Sequence, residues 1–368
     1  MEPTLYYILW ICGILGGLIL LGGIVIIYLI LSEHYRKAQY QKLSRQWEST
    51  LLKLLAEEIT LEEAQTKIGT PKNYMWMWQF LFPYLESLEG EDRQLILSVA
   101  QKIGMQKYYL KKLRQRWKSL YTRALAARIL GSLHCYRALP LILSLLNNQN
   151  QAVVISAARS ITDLNAYQYL DRVAEALLQN TQITYEGATE IMAQFSEECC
   201  PMIMQKIETE MNHPDFELQT GSIEEDEYKM AILAMMVDLL GYYRWMEASG
   251  LLSKLLPIAD EETIIHIFKA FIRMDTLPPE VDLKHYLTHP NWVIRSLSAR
   301  AWNIKGSEEY LSIVVSLLDD PFWWVRLRAA EALWSFGLEG KKILQKKAEE
   351  KTGASAAISQ YILAQEKI

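Results

Sequence analysis

Cysteine and histidine are both scarce in this chain, four and six residues among 368. Cys12, Cys135, Cys199 and Cys200 stand at no metal-ligand spacing and make no disulfide framework. The adjacent Cys199 and Cys200 read as ordinary helix packing, with a redox pair as the rival reading. Only His285 and His289 stand at His-x-x-x-His spacing, and no third His or Cys lies near them in the chain to complete a ligand set. A glycine-rich phosphate loop is missing, and no Ser or Cys sits in a nucleophile motif with a base beside it. No catalytic residue, cofactor, metal or small-molecule substrate is therefore expected. A surplus of positive charge is also missing: the formal net charge is −5, which argues against general nucleic-acid binding.

Charge of either sign is absent from Leu5 through Leu31. About 20 apolar residues span a bilayer, so this run is expected to cross as one helix with length to spare. A cleaved signal peptide would need a basic start and a small-x-small cleavage site. Met-Glu-Pro-Thr and Ser32-Glu33-His34-Tyr35 offer neither. No Lys or Arg precedes the run, whereas Arg36, Lys37, Lys42 and Arg45 follow it. That asymmetry predicts a short extracytoplasmic N-terminus (1–4), a span at 5–31 in the plasma membrane, and a cytoplasmic body. Tyr6, Tyr7, Trp10 and Tyr28 suit the interfaces, and Gly13-x-x-x-Gly17 could bring a second helix close.

Residues 32–88 are expected to form juxtamembrane helices and a connector. Leu43, Trp47, Leu51, Leu54 and Leu55 share one helical face, and Thr60-Leu61-Glu62-Glu63 is a cap with a first turn. The aromatic stretch 74–84, with Trp76 and Trp78, has two readings: a buried connecting helix, or a surface resting on the membrane. A basic helix then carries Lys107, Lys111, Lys112, Arg114, Arg116 and Lys118. It is either a solvated face or a patch facing an anionic leaflet.

Further on, the chain repeats. Asp320-Pro321 is followed by Val325, Arg326, Ala329, Ala330 and Leu333. His289-Pro290, Arg295, Ala299 and Trp302 match that set one period earlier, each number lower by 31. The same step carries Leu333 back to Trp302, Phe271 and Leu240, and Ala330 back to Ala299, Phe268 and Val237. Nearer the front, Leu130, Ile161 and Met192 form another ladder, accompanied by Ala126, Ala157 and Ala188. Leu240 lies more than one period beyond Met192, so a short insertion separates two arrays of one unit. The stretch 212–227 is its natural home, with six acids and no Lys or Arg. It reads as a surface loop or as a docking segment for a basic partner.

These residues give an all-α expectation, an α-solenoid with a period of 31 over 89–368. The chain resembles the HEAT-repeat family in its short bacterial form. The resemblance rests on Asp-Pro-x-x-x-Val-Arg-x-x-Ala-Ala-x-Ala-Leu at 320–333, His-Pro-x-x-x-Ile-Arg at 289–295, and Thr-Arg-Ala-Leu-Ala-Ala-Arg-Ile-Leu-Gly at 122–131. Arg123, Arg295 and Arg326 occupy the family's signature Arg position, where Val154, Leu233 and Ile264 depart from it. The resemblance implies a surface that binds other macromolecules.

One register column is charged throughout: Arg128, Arg159, Glu190, then Asp238, Lys269, Arg300 and Glu331. It is expected on the solvent side, with Arg128, Arg159, Lys269 and Arg300 as partner-binding candidates. Trp292, Trp323 and Trp324 join them if they are exposed rather than packed on the preceding helix. The sum is a single-pass anchored scaffold that recruits or regulates a protein partner, for example a membrane enzyme complex such as a polysaccharide-synthesising glycosyltransferase. The alternative is an enzyme, because short HEAT-like repeats also resemble phycobilin lyases and certain DNA glycosylases.

Overall fold

The structure is a computed structural model that describes residues 3–365 except 72, 116, 181, 213–222 and 351. The side chains of 3–9, 11, 12, 14 and 223–227 are outside the description. All regular structure among the described residues is helical. Two compact units divide the chain between Ala138 and Leu139, well past the boundary expected at 88.

The first unit holds α1 (Pro3–Leu55), α2 (Leu61–Ile68), α3 (Tyr74–Ser87), α4 (Gly90–Lys102), α5 (Met105–Arg114) and α6 (Leu120–Ser132). The expected span and juxtamembrane helix are thus one helix of 53 residues. No Gly or Pro lies between Ser32 and Leu55 to interrupt the i→i−4 ladder. Among the described residues it is the one helix long and apolar enough to cross a membrane, with mean hydropathy 2.5 over its most apolar window. Its large apolar side chains from Leu15 to Leu31 are all exposed.

The far end of α1 enters the body of this unit. Trp47, Leu51 and Leu54 are buried; Trp47 meets Phe80 at 5.6 Å, and Leu54 packs with Ala64 and Val99. Thr60 and Glu63 close a reciprocal capping box that fixes where α2 begins. Asn73 caps α3 through the N–H groups of Met75 and Trp76. Met77, Trp78, Phe80, Leu81 and Leu85 of α3 are buried, so the aromatic stretch is a packed connector. The membrane-resting alternative fails at Trp78, which is covered, and at Trp76, whose ring lies against Tyr40 at 6.2 Å.

The second unit runs α7 (Leu139–Leu143), α8 (Gln151–Asp163), α9 (Leu170–Leu178), α10 (Tyr185–Met192), α11 (Cys200–Met211), α12 (Ile223–Tyr242), α13 (Ser249–Leu255), α14 (Glu261–Met274), α15 (Leu283–Leu287), α16 (Trp292–Lys305), α17 (Leu311–Ser316), α18 (Trp323–Ser335), α19 (Leu338–Ala348) and α20 (Ala354–Gln365). The long helices α14, α16 and α18 begin at Glu261, Trp292 and Trp323, evenly spaced by the period read from the sequence. Along the series α12, α14, α16 and α18, each packs on the next. Polar side chains set two of these starts, Asp260 accepting from Thr263 N–H and Asn291 from Val293 N–H, whereas ahead of α18 Asp320 accepts from Phe322 N–H in the preceding turn. Leu240, Phe271, Trp302 and Leu333 are buried, as are Val237, Phe268, Ala299 and Ala330, so the apolar register is the packing register. Ile161 and Met192 of the earlier ladder are equally covered, and so is Leu130 within the first unit.

Residues 213–222 of the acidic stretch lie outside the described residues. Residues 223–227, expected in the same loop, are instead the first turns of α12. The acids Glu224, Glu225 and Asp226 suit a helix N-terminus, where negative charge is stabilised.

Candidate functional site

A helix that buries an ionisable side chain must pair it, because an isolated buried charge is costly. In the second unit α12 does this with Asp238, one member of the charged column expected on the solvent side. The expectation fails here: Asp238 is only 5% exposed. Its Oδ1 lies 3.2 Å from Arg273 Nη1, and the same Nη1 donates to the Asp238 carbonyl. Its Oδ2 accepts from the Tyr185 hydroxyl at 3.3 Å and lies 2.7 Å from His266 Nδ1. The imidazole contact is at ion-pair distance without the in-line N–H direction of a hydrogen bond. Tyr185 and His266 also meet ring to ring at 5.1 Å.

Burial first, and the Asp238 charge second, hold the Tyr185 phenol above its ordinary range. It therefore stays protonated as a donor to the carboxylate. Three helices supply the set: Tyr185 comes from α10, Asp238 from α12, and His266 and Arg273 from α14. They floor an open groove of about 960 Å³. Its walls carry Glu186, Glu190, Glu261 and Glu262 against Lys269 and Arg273, with Asn291 at one end donating to Glu261. The groove can take a polar, extended ligand, with the rim supplying charge and the floor fixed donors and acceptors.

Sequence reasoning did not find this floor. Tyr185, Asp238 and His266 are too far apart along the chain for any local motif to join them. The usable signal was a histidine on the otherwise apolar buried stripe Ile264, Ile267, Phe268 and Phe271.

The structure separates the other candidates. Lys269 lines the groove and Arg300 is exposed on α16. Arg159 and, in the first unit, Arg128 are half-buried, Arg128 donating to Ser132 Oγ. Trp292 is half-buried, stacked on Phe322 at 5.3 Å with 10° between the planes, so it is not a free anchor. Trp323 and Trp324 are exposed at 44% and 50% and touch edge to face at 4.7 Å. Cys199 and Cys200 are free thiols in a fully covered position at the start of α11.

Two of the three arginines at the matching repeat position, Arg295 and Arg326, bind loops. Arg295 grips Asp320 with two nitrogens, at 2.8 and 3.1 Å, and donates to the carbonyls of His289 and Pro290. Arg326 repeats the carbonyl half of this pattern on Asp320 and Pro321. In the first unit Lys107, Lys111 and Arg114 are exposed and Lys112 lies over the Tyr108 ring; Arg116 is outside the described residues. Gly13 and Gly17 have open space where a Cβ would stand.

No family model matches the chain, and no curated protein matches it. A crystal structure of an engineered protein aligns with 83% of this chain and 81% of its own, at 17% identity and a TM-score of 0.26. A likeness that weak carries no argument.

Proposed function

We propose that this protein is a single-pass membrane-anchored scaffold whose helical-repeat body, an α-solenoid of HEAT-type hairpins, recruits or regulates a protein partner. The observation that carries the reading is α1. A bare apolar segment continues without a break into a helix that is built into the first unit, so this reading holds the chain, and whatever it binds, at a membrane. The regular recurrence of α14, α16 and α18, with a buried ladder at the same step, supports the solenoid. The groove over Asp238 and His266, and the exposed Trp323 and Trp324, are the surfaces this reading assigns to recruitment. The excess of Lys and Arg after the span supports a cytoplasmic body in the plasma membrane. The partner is then a membrane-associated protein, with a glycosyltransferase complex as one example of the class.

The test is crosslinking in intact membranes, then purification in mild detergent and mass spectrometry. The expected outcome is one stoichiometric membrane partner. Its capture should fall in Lys269→Glu with Arg300→Glu, most strongly at low salt, because rim charges act on encounter. Capture unchanged by those reversals and by Trp323→Ala with Trp324→Ala would remove both surfaces. The enzyme reading retains one specific observation, the buried Asp238–His266 pair opening on a groove. Turnover of a pigment or a damaged base, abolished in His266→Leu, would favour it over the scaffold.

A further inference from the structure

The stretch Met105–Arg123 carries seven Lys and Arg residues and no acid, in a chain whose net charge is −5. Segregation of that degree needs a physical reason, since like charges repel and the chain has acids to spare elsewhere. α5 buries Met105, Tyr109 and Leu113 and turns Lys107, Lys111 and Arg114 outward. None of these three, nor Lys118, forms an ion pair with a described acid. The outward cations line a shallow depression of about 530 Å³ together with Leu110 and Trp117.

Beside the cations the surface is apolar to an unusual degree. Trp117 is 79% exposed and Tyr121 75%, with Leu120 between them also exposed. An indole, a phenol and a leucine turned to solvent among these cations are poorly served by water alone. Their chemistry matches the boundary of an anionic bilayer, where amphipathic rings sit at headgroup level and cations meet lipid phosphates and carboxylates.

The fold of this unit holds the patch near the membrane end of its anchor. Tyr40 lies about 14 Å past Leu31 along α1 at 1.5 Å per residue. There it contacts Trp76 of α3. From the same helix, Tyr74 stacks on Tyr108 of α5 at 4.2 Å, and Lys112 covers that ring at 4.6 Å. A headgroup layer of roughly 5–8 Å plus a screening length of ~8 Å spans a gap of that size.

We propose that α5 and the turn after it, centred on Lys107, Lys111, Arg114, Trp117 and Tyr121, form a second membrane contact that binds the anionic lipid surface beside the anchor. This inference rests on α1 spanning the bilayer. It goes beyond partner recruitment, because the ligand is the lipid itself. The contact would fix how the first unit leans on the membrane, which a single helix leaves free.

The experiment places the full chain in nanodiscs of phosphatidylcholine alone, or with about 30% phosphatidylserine, and follows amide hydrogen exchange by mass spectrometry. Amides of the 105–121 region should exchange at least about threefold more slowly in the anionic discs, and about 0.5 M salt should erase the difference. Lys107→Glu, Lys111→Glu and Arg114→Glu combined should also erase it, with exchange in α14 and α16 unchanged. If charge reversal disturbs the fold, the neutral triple variant with Gln at the same positions serves in its place. Equal exchange in the two lipids, or protection that survives the triple variant, would overturn the lipid contact while leaving the anchor intact. Protection by added RNA that exceeds protection by anionic lipid would overturn it in favour of a nucleic-acid surface. Failure of the chain to enter discs would overturn the anchor and the contact together.

Discussion

Arg295 shows what one side chain does when loop geometry depends on it. Its guanidinium is largely covered and is engaged by Asp320 and two backbone carbonyls, so the turn before α16 and the turn before α18 are held by the same group. Asp320, itself 8% exposed, would be left as a buried carboxylate without it. Breaking a buried pair from one side costs on the order of 3–5 kcal/mol, more than the pair is worth as a whole. Arg295→Ala is expected to lose about that much in chemical denaturation, and Arg295→Lys should recover little, since an ammonium cannot reproduce the fork. A loss under about 1 kcal/mol would show that water replaces the guanidinium. The sequence exposed this residue because the motif around it recurs. It concealed the pairing at Asp238, because a register column records position and not which way a helix has rotated. Asp238 fills the column like Lys269 and Arg300, yet α14 closes over it and brings His266 and Arg273 to its oxygens.

Among the elements, close packing is set by residues that lack a side chain. A Cβ built on Gly340 of α19 would overlap the Leu333 carbonyl oxygen of α18. One on Gly241 would stand 2.7 Å from Ala270 Cα of α14. Backbone cannot swing aside as a long side chain can, so both helix pairs would have to separate. Gly340→Ala is expected to cost about 3 kcal/mol or more and Gly241→Ala about 1–3 kcal/mol, read as shifts in the denaturation midpoint. An unchanged midpoint at both would mean that these helices are not in contact in solution. The start of α2 was legible because a capping side chain, Thr60, announces it. The start of α12 was not, because Ile223-Glu224-Glu225-Asp226-Glu227 reads equally as a polar loop and as an acidic first turn. Trp292 was open for a similar reason: its spacing matches Trp323, but only the structure places Phe322 face to face with it.

At the scale of the whole molecule, alkaline pH should act through three tyrosines. Burial is the main reason that the phenols of Tyr109, Tyr185 and Tyr243 are held above their ordinary range. In the unfolded chain they ionise near pH 10, whereas in the folded chain they keep their protons. The unfolded state then binds fewer protons, so stability is complete below about pH 10 and falls as pH rises beyond it. Thermal midpoints should decline steadily above that pH, and Tyr185→Phe should flatten the decline. A midpoint indifferent to pH up to about 11.5 would mean that these phenols reach solvent. The all-helical class and the long apolar segment were both legible from composition and periodicity. The division between Ala138 and Leu139 was not, because it interrupts no hydrophobic pattern and is marked by no linker-like composition.

The unbroken course of α1 has a mechanical consequence. From Ser32 to Leu55 it holds neither glycine nor proline, so there is no joint between the apolar segment and the buried Trp47, Leu51 and Leu54. That stretch forms a shaft of about 36 Å, and each residue along it sets a step of roughly 100° in azimuth. A tilt of ~20° imposed by a thicker or thinner bilayer would swing the inner end of the shaft sideways by roughly 12 Å. With the apolar segment in a bilayer, the compass bearing of the first unit would likewise be locked to whichever flank of α1 faced a neighbouring helix. Lengthening the shaft by one residue would re-aim that unit by more than a quarter turn while moving it outward by only about 1.5 Å. Bilayer thickness and helix rotation would thereby become directional inputs to everything the first unit touches.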